Sequence, residues 1–190
     1  MLTETPFYYL RHGETDWNRD GRFQGWTDVP LNATGLAQAR AAAELVRDLG
    51  IRTICASPLA RALDTARIVA AATGAPVSVI DDLRECGFGV REGEAYGSWY
   101  EDWRLGTTPA GAEPYRDFLA RALTGVNRAL AVQEGPVLIV AHGGVYWSIR
   151  DHARFELEGI PNAQPIFHEP PHPERPWWER SVISAAGAER

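Results

Sequence analysis

Two histidines carry the first chemical signal in this sequence. His12 follows the apolar run Phe7–Leu10 and Arg11, His142 follows the run Val137–Val140 and Ala141, and each precedes a glycine. A lone histidine after a strand is usually a hydrogen-bonded structural residue. Two in the same setting point to a site, because glycine lets a backbone approach a ligand closely. Arg61 lies one turn past Ser57-Pro58, and Glu85 lies just past the run Val77–Ile80. These residue types suit phosphoryl transfer. Arginine offers planar, paired donors for phosphate oxygens. An imidazole with an ordinary pKa of about 6.5 is mostly neutral at pH 7 and can attack phosphorus directly. The leaving oxygen needs a proton, and a carboxylic acid in the position of Glu85 is the natural donor. Helix starts after Ala141 and around Ser57 would add N–H groups and a positive dipole end.

Four strand ends must bring these residues together. Apolar runs predict strands at Phe7–Leu10, Thr53–Ala56, Val77–Ile80 and Val137–Val140. Periodicity and capping predict a helix from Thr34 to about Leu49 and another from Ser57-Pro58 to Gly74. Further helices are expected from Tyr115 to about Val132 and over Val145–Ala153, with short strands at Pro165–His168 and Ser181–Ser184. Alternating strands and helices predict a three-layer α/β/α sandwich with a mainly parallel sheet. Ligands of such sheets bind beyond the carboxyl ends of the strands. Residues 1–190 are expected to form a single domain, with a proline-rich C-terminal segment over 161–190.

Composition narrows the chemistry further. The formal charge is −6 and the pI near 5.4. A net acidic chain is a poor candidate for general nucleic-acid binding, which needs a basic face. All 19 basic residues are arginine, so a P-loop lysine or a lysine Schiff base is impossible. No apolar run approaches the roughly 20 residues of a membrane span, no signal peptide is visible, and two cysteines make no disulfide framework. A cytoplasmic location is the expectation. His168 and His172 have a spacing that ligates zinc only on a helix, and six prolines between Pro161 and Pro176 argue against a helix there, so no metal is expected. Cys55 reads as inert core, Cys86 beside Glu85 as a thiol to check, and Asp81-Asp82 as a turn. Tyr96, Trp99, Tyr100 and Trp103 are expected to pack, with binding of a substrate group as the alternative. Trp177 and Trp178 have three open roles: packing on the body, closing the cleft, or a homodimer contact.

Several segments together resemble a known family. LRHGETDWN at 10–18 is similar to the RHG signature of the histidine phosphatase, or phosphoglycerate mutase-like, superfamily. RFQGWTDVPLNATGLAQA at 22–39, SPLARALDTA at 57–66, LRECGFGVREG at 83–93 and VLIVAHGGV at 137–145 resemble later family segments in order, and PNAQPI at 161–166 is a weaker match. The resemblance implies that His12 is the nucleophile that becomes phosphohistidine. It implies that Arg11, Arg61 and His142 complete a phosphate pocket that Asn18 also contacts, and that Glu85 is the proton donor. Gln24 and Gly25, in the 22–26 loop, would border the substrate, and Gly143 would contribute at the helix start. A phosphomonoester hydrolase acting on a small phosphorylated metabolite is implied, without metal or cofactor. The alternative is a phosphoglycerate mutase using 2,3-bisphosphoglycerate; only 56 residues separate Glu85 from His142, which favours the phosphatase. A non-catalytic phosphate-binding module is the third reading.

Overall fold

The structure is a computed structural model that describes residues 1–131, 135–154, 159–185 and 187–189. Its strands are β1 (Phe7–Arg11), β2 (Thr53–Ala56), β3 (Val77–Val79), β4 (Val137–Ala141), β5 (Pro165–Glu169), β6 (Glu179–Ser184) and β7 (Gly187–Glu189). They form one seven-stranded sheet in the order β3-β2-β4-β1-β5-β6-β7. The first four are mutually parallel, and each of the last three is antiparallel to the strand before it. The parallel part is thus four strands wide, with an antiparallel edge. β2 and β4 are buried at every position, as uninterrupted apolar strands covered on both faces must be.

Alternation along β4 separates two cores. Leu138 and Val140 pack with Ala42, Ala43 and Val46 of α2 (Ala33–Val46) and with Ala66 and Val69 of α3 (Ala60–Thr73). Val137, Ile139 and Ala141 pack with Phe118, Ala122 and Val126 of α5 (Tyr115–Ala131) and with Val145 and Ile149 of α6 (Gly143–Ala153). Helices therefore cover both faces of the sheet, which gives the expected α/β/α sandwich. Two short helices, α1 (Asp16–Arg19) and α4 (Trp99–Arg104), lie among the loops.

Several boundaries differ from expectation for local reasons. Asn32, not Thr34, caps α2: its side-chain oxygen accepts from Gly35 N at 2.8 Å, and the helix stops at Val46 rather than Leu49. α3 starts at Ala60, not at Ser57-Pro58. Its first N–H is held by Asp28 from a distant loop at 2.8 Å, while the Ser57 hydroxyl meets His142 Nε2 at 2.7 Å and Leu59 N at 3.3 Å. α6 starts two residues early, at Gly143. Asp81 and Asp82 open a single 3-10 turn, as their turn reading implied. Val132, the expected end of α5, lies outside the described residues. β7 was not foreseen, since Gly-Ala-Glu carries no apolar run. Trp178 packs edge-on against Phe7 at 6.0 Å. Among the described residues no helix is long and apolar enough to cross a membrane.

Strand register does the positioning. Arg11 sits opposite Ala141, and Ala56 opposite Val140. His12 N donates to Ala141 O at 3.0 Å, and Ser57 N donates to Val140 O at 3.1 Å, so the pairing continues one residue past the strand ends. His12, His142 and Ser57 consequently leave three adjacent strands at the same edge.

Candidate active site

A cavity of about 400 Å³ opens over that edge. Arg11, His12, Asn18, Gln24, Arg61, Glu85, Gly143 and Gly144 are among the residues that line it. His12 is almost fully buried, and its Nδ1 lies 2.7 Å from Gly13 O. A carbonyl only accepts, so Nδ1 carries the proton and Nε2 keeps a free lone pair. Burial, then the charges of Arg61 and Arg11, hold His12 well below the usual histidine pKa; the bond to Gly13 opposes this. The ring is therefore a neutral nucleophile at neutral pH. Its loop is locked: Gly13 N donates to Thr65 Oγ1 at 3.1 Å, and Asn162 Nδ2 donates to His12 O at 2.8 Å. A Cβ on Gly13 would lie 2.4 Å from Gly35 O, so only glycine lets the loop meet the start of α2.

His142 stands behind this surface, with its ring centroid 5.2 Å from that of His12. Its Nε2 lies 2.7 Å from Ser57 Oγ, which also accepts from Leu59 N at 3.3 Å. The buried hydroxyl proton has His142 Nε2 as its acceptor, which places the ring proton on Nδ1. Burial first, then Arg61, His12 and Arg11, keep this ring neutral as well. His142 Nδ1, Arg11 Nε and Arg61 Nε are all buried with no hydrogen-bond partner among the described residues. Arg11 and Arg61 line the cavity and His142 lies beside His12, so these unpaired donors are what an oxyanion bound there would satisfy.

The arginines are held by backbone. Arg11 Nη1 donates to Ile160 O at 2.8 Å. Arg61 Nη2 donates to Gly25 O at 2.9 Å, and Nη1 to Thr27 O at 3.1 Å. Burial lowers Arg61 to about 10, so it stays charged at neutral pH. Gly25 thus serves the guanidinium and does not line the cavity. Glu92 holds that loop: Oε1 accepts from Trp26 N and Phe88 N, and Oε2 from Thr27 N and Thr27 Oγ1. Asn18 Oδ1 accepts from Thr15 N at 3.2 Å and Asn162 Nδ2 at 3.3 Å, which leaves its amide N–H groups for an anion. Gln24 Oε1 accepts from Thr15 Oγ1 at 2.9 Å.

Glu85 faces the start of α6. Oε1 accepts from Cys86 N at 3.0 Å and Oε2 from Gly144 N at 3.1 Å. A Cβ on Gly144 would come within 2.1 Å of Glu85 Oε1. Gly144→Ala is therefore expected to displace the carboxylate and lower kcat by about 10- to 100-fold. Steady-state kinetics check this; an unchanged kcat would show that the carboxylate position is immaterial.

The cysteines, the C-terminal histidines and the aromatic group have structural places. Cys55 and Cys86 are buried free thiols; burial raises Cys55 to about 11 and pushes Cys86 up further, so neither is a thiolate. His168 Nε2 is hydrogen-bonded to Tyr146 Oη at 2.8 Å, and His172 pairs with Arg175 in a turn. No cluster of metal-ligating side chains occurs among the described residues. The aromatic group divides: Trp103 is fully buried, whereas Tyr96 and Tyr100 line the cavity. Ser57, Thr65, Glu92 and Asn162 were missed as site residues, and only the motif segments containing them gave any signal.

Three buried histidines affect stability. Burial, with Arg180 second, lowers His168 to about 3, and His12 and His142 are also depressed. Below about pH 6.5 the unfolded chain protonates these rings and the native one does not, so stability falls as pH falls. The three together give a slope of at most about 4 kcal/mol per pH unit. Urea midpoints are expected to drop steeply from pH 6.5 to 5; a flat midpoint contradicts neutral buried rings.

Comparison with known proteins agrees with this geometry. The family model of the histidine phosphatase superfamily (branch 1) matches residues 7–164. An uncharacterized phosphatase, PhoE, of Bacillus subtilis (strain 168) is 42% identical over 142 residues, 73% of this chain and 72% of that one. A probable phosphoglycerate mutase, GpmB, of Enterobacter sp. (strain 638) is 39% identical over 148 residues, covering 72% of this chain and 68% of that one. A mycobacterial glucosyl-3-phosphoglycerate phosphatase, solved with VO3, has a TM-score of 0.77 at 29% identity, covering 94% of this chain and 97% of that one. The chain is an enzyme of the histidine phosphatase superfamily, branch 1.

Proposed function

We propose that this protein hydrolyses small phosphomonoesters through a phosphohistidine at His12. The observation that carries this reading is the 2.7 Å contact of His12 Nδ1 with Gly13 O, which fixes the tautomer and frees Nε2 for attack. The phosphoryl oxygens would occupy the space among Arg11, Arg61, Asn18 and the Nδ1–H of His142, with Gly143 and the α6 start adding dipole stabilisation. Attack by Nε2 forms the N–P bond as the P–O bond breaks. Glu85, as the carboxylic acid, gives its proton to the departing oxygen. Water then attacks phosphorus, Glu85 takes the water proton, and His12 leaves as the neutral ring. The net change is ester plus water to alcohol plus phosphate, using only this chain's own groups. Gln24 lines the cavity and holds Thr15 through its amide oxygen, and we read the protein as one cytoplasmic domain with free cysteines.

Turnover of p-nitrophenyl phosphate at acid and neutral pH tests the reading, and complete inactivity of the wild type overturns it. The GpmB relative motivates a mutase control: interconversion of 3- and 2-phosphoglycerate stimulated by 2,3-bisphosphoglycerate. If that exceeds hydrolysis, the enzyme is a mutase.

A further inference from the structure

The rest of the cavity lining has a different character. Phe23, Phe88, Tyr96, Tyr100, Trp147 and Ile160 form an apolar wall drawn from the 22–26 loop, the 88–104 segment, α6 and the chain after it. The rings are ordered against one another. Phe23 lies edge-on to Tyr96 at 4.6 Å and stacks on Tyr100 at 5.2 Å, and Tyr100 meets Trp147 edge-on at 5.6 Å. Trp99 and Trp103 pack behind this layer, against Phe23 and Phe88. Tyr96 is 59% exposed, so much of its ring is left open by the described residues.

Buried charge is scarce along this wall. Among the described residues lining the cavity, Arg22 is the one cation besides Arg11 and Arg61, and it is exposed, with Nη1 donating to Gly93 O at 3.2 Å, so its charge stays in solvent. A leaving group with its own carboxylate or second phosphate needs desolvated partners that this wall supplies poorly. One rich in hydroxyls needs several donors and acceptors, where the wall offers two tyrosine hydroxyls and an indole N–H. A flat apolar ring needs neither and gains offset and edge-on contacts with the wall.

We propose that the alcohol carried by the physiological substrate bears an aromatic or similarly flat apolar ring, held by Phe23, Tyr96, Tyr100 and Trp147. The inference rests on the phosphatase reading and adds the class of leaving group to it. Tyr96 and Trp147 are then the residues that set specificity, since they face the ring from opposite elements.

The test compares esters whose leaving alcohols have similar acidity, so that chemistry is matched and binding differs. Wild-type kcat/KM for 2-phenylethyl phosphate is expected to exceed that for ethyl phosphate by at least about tenfold. In Tyr96→Ala that ratio is expected to fall about threefold or more; Trp147→Leu gives the same reading if the first variant does not fold. Turnover of p-nitrophenyl phosphate with a ratio near one, or a higher kcat/KM for 3-phosphoglycerate or glucose 6-phosphate than for 2-phenylethyl phosphate, overturns this inference and leaves the phosphatase reading intact. Absence of any p-nitrophenyl phosphate turnover overturns the phosphatase reading, and the ring preference with it.

Discussion

His12→Asn is expected to lower kcat on p-nitrophenyl phosphate by at least about 10⁴-fold, the scale on which loss of a nucleophile is felt. Among the described residues, no other imidazole, thiol or hydroxyl near the cavity is placed to replace it. His142 has Nε2 committed to Ser57 Oγ at 2.7 Å and is not among the residues lining the cavity. The thiols of Cys55 and Cys86 are buried and held protonated. Serine and threonine near the site spend their hydroxyls on structure: Thr65 Oγ1 donates to Arg61 O at 2.7 Å and Thr15 Oγ1 to Gln24 Oε1. Arg11 and Arg61 remain in place in the variant, so inorganic phosphate is expected to inhibit it about as well as the wild type. Activity within tenfold of wild type would exclude His12 as the nucleophile.

Glu85→Gln separates acid catalysis from binding. For an alkyl phosphate the departing alkoxide needs its proton, and the variant is expected to lose about 10²- to 10⁴-fold in kcat. For p-nitrophenyl phosphate the leaving oxygen is stable as an anion, so the first step is expected to slow by less than about tenfold. The second step still suffers, because water loses its base, and phosphoenzyme should accumulate. Equal losses on both substrates in single-turnover formation of the phosphoenzyme would deny Glu85 its role as acid. The glutamine can accept from only one of the two N–H groups, Cys86 N and Gly144 N, that the carboxylate satisfies with both oxygens. A modest loss of thermal stability should accompany the kinetic change.

The convergence of the candidate site residues was legible because parallel strands deliver their ends to one edge. Arg11, His12, Glu85 and His142 each follow an apolar run, and Arg61 follows one through Ser57-Pro58, so residue type and position agree. What was not legible acts through space. Ser57-Pro58 carries a local helix-start signal, and nothing local reveals an imidazole 85 residues away that takes the hydroxyl. Glu92 binds backbone N–H groups of residues 26, 27 and 88, a role that leaves no pattern in side-chain types. Asn162 reaches His12 O across 150 residues, beside Ala163, whose left-handed φ of 52° lets its N–H meet Arg11 O. The aromatic spacing at 96–103 was compatible with packing and with binding, and the fold uses it for both. Helical periodicity tells which residues share a face but not whether a cavity lies against it.

Rapid-quench trapping of the phosphoenzyme tests the central claim most directly. Wild type and Glu85→Gln would be mixed with a radiolabelled aryl phosphate, denatured in alkali, and assayed for protein-bound label before and after acid. The account predicts label that survives alkali, is lost in acid, accumulates in Glu85→Gln and is absent from His12→Asn. Acid-stable label, or acid-labile label retained by His12→Asn, would contradict it.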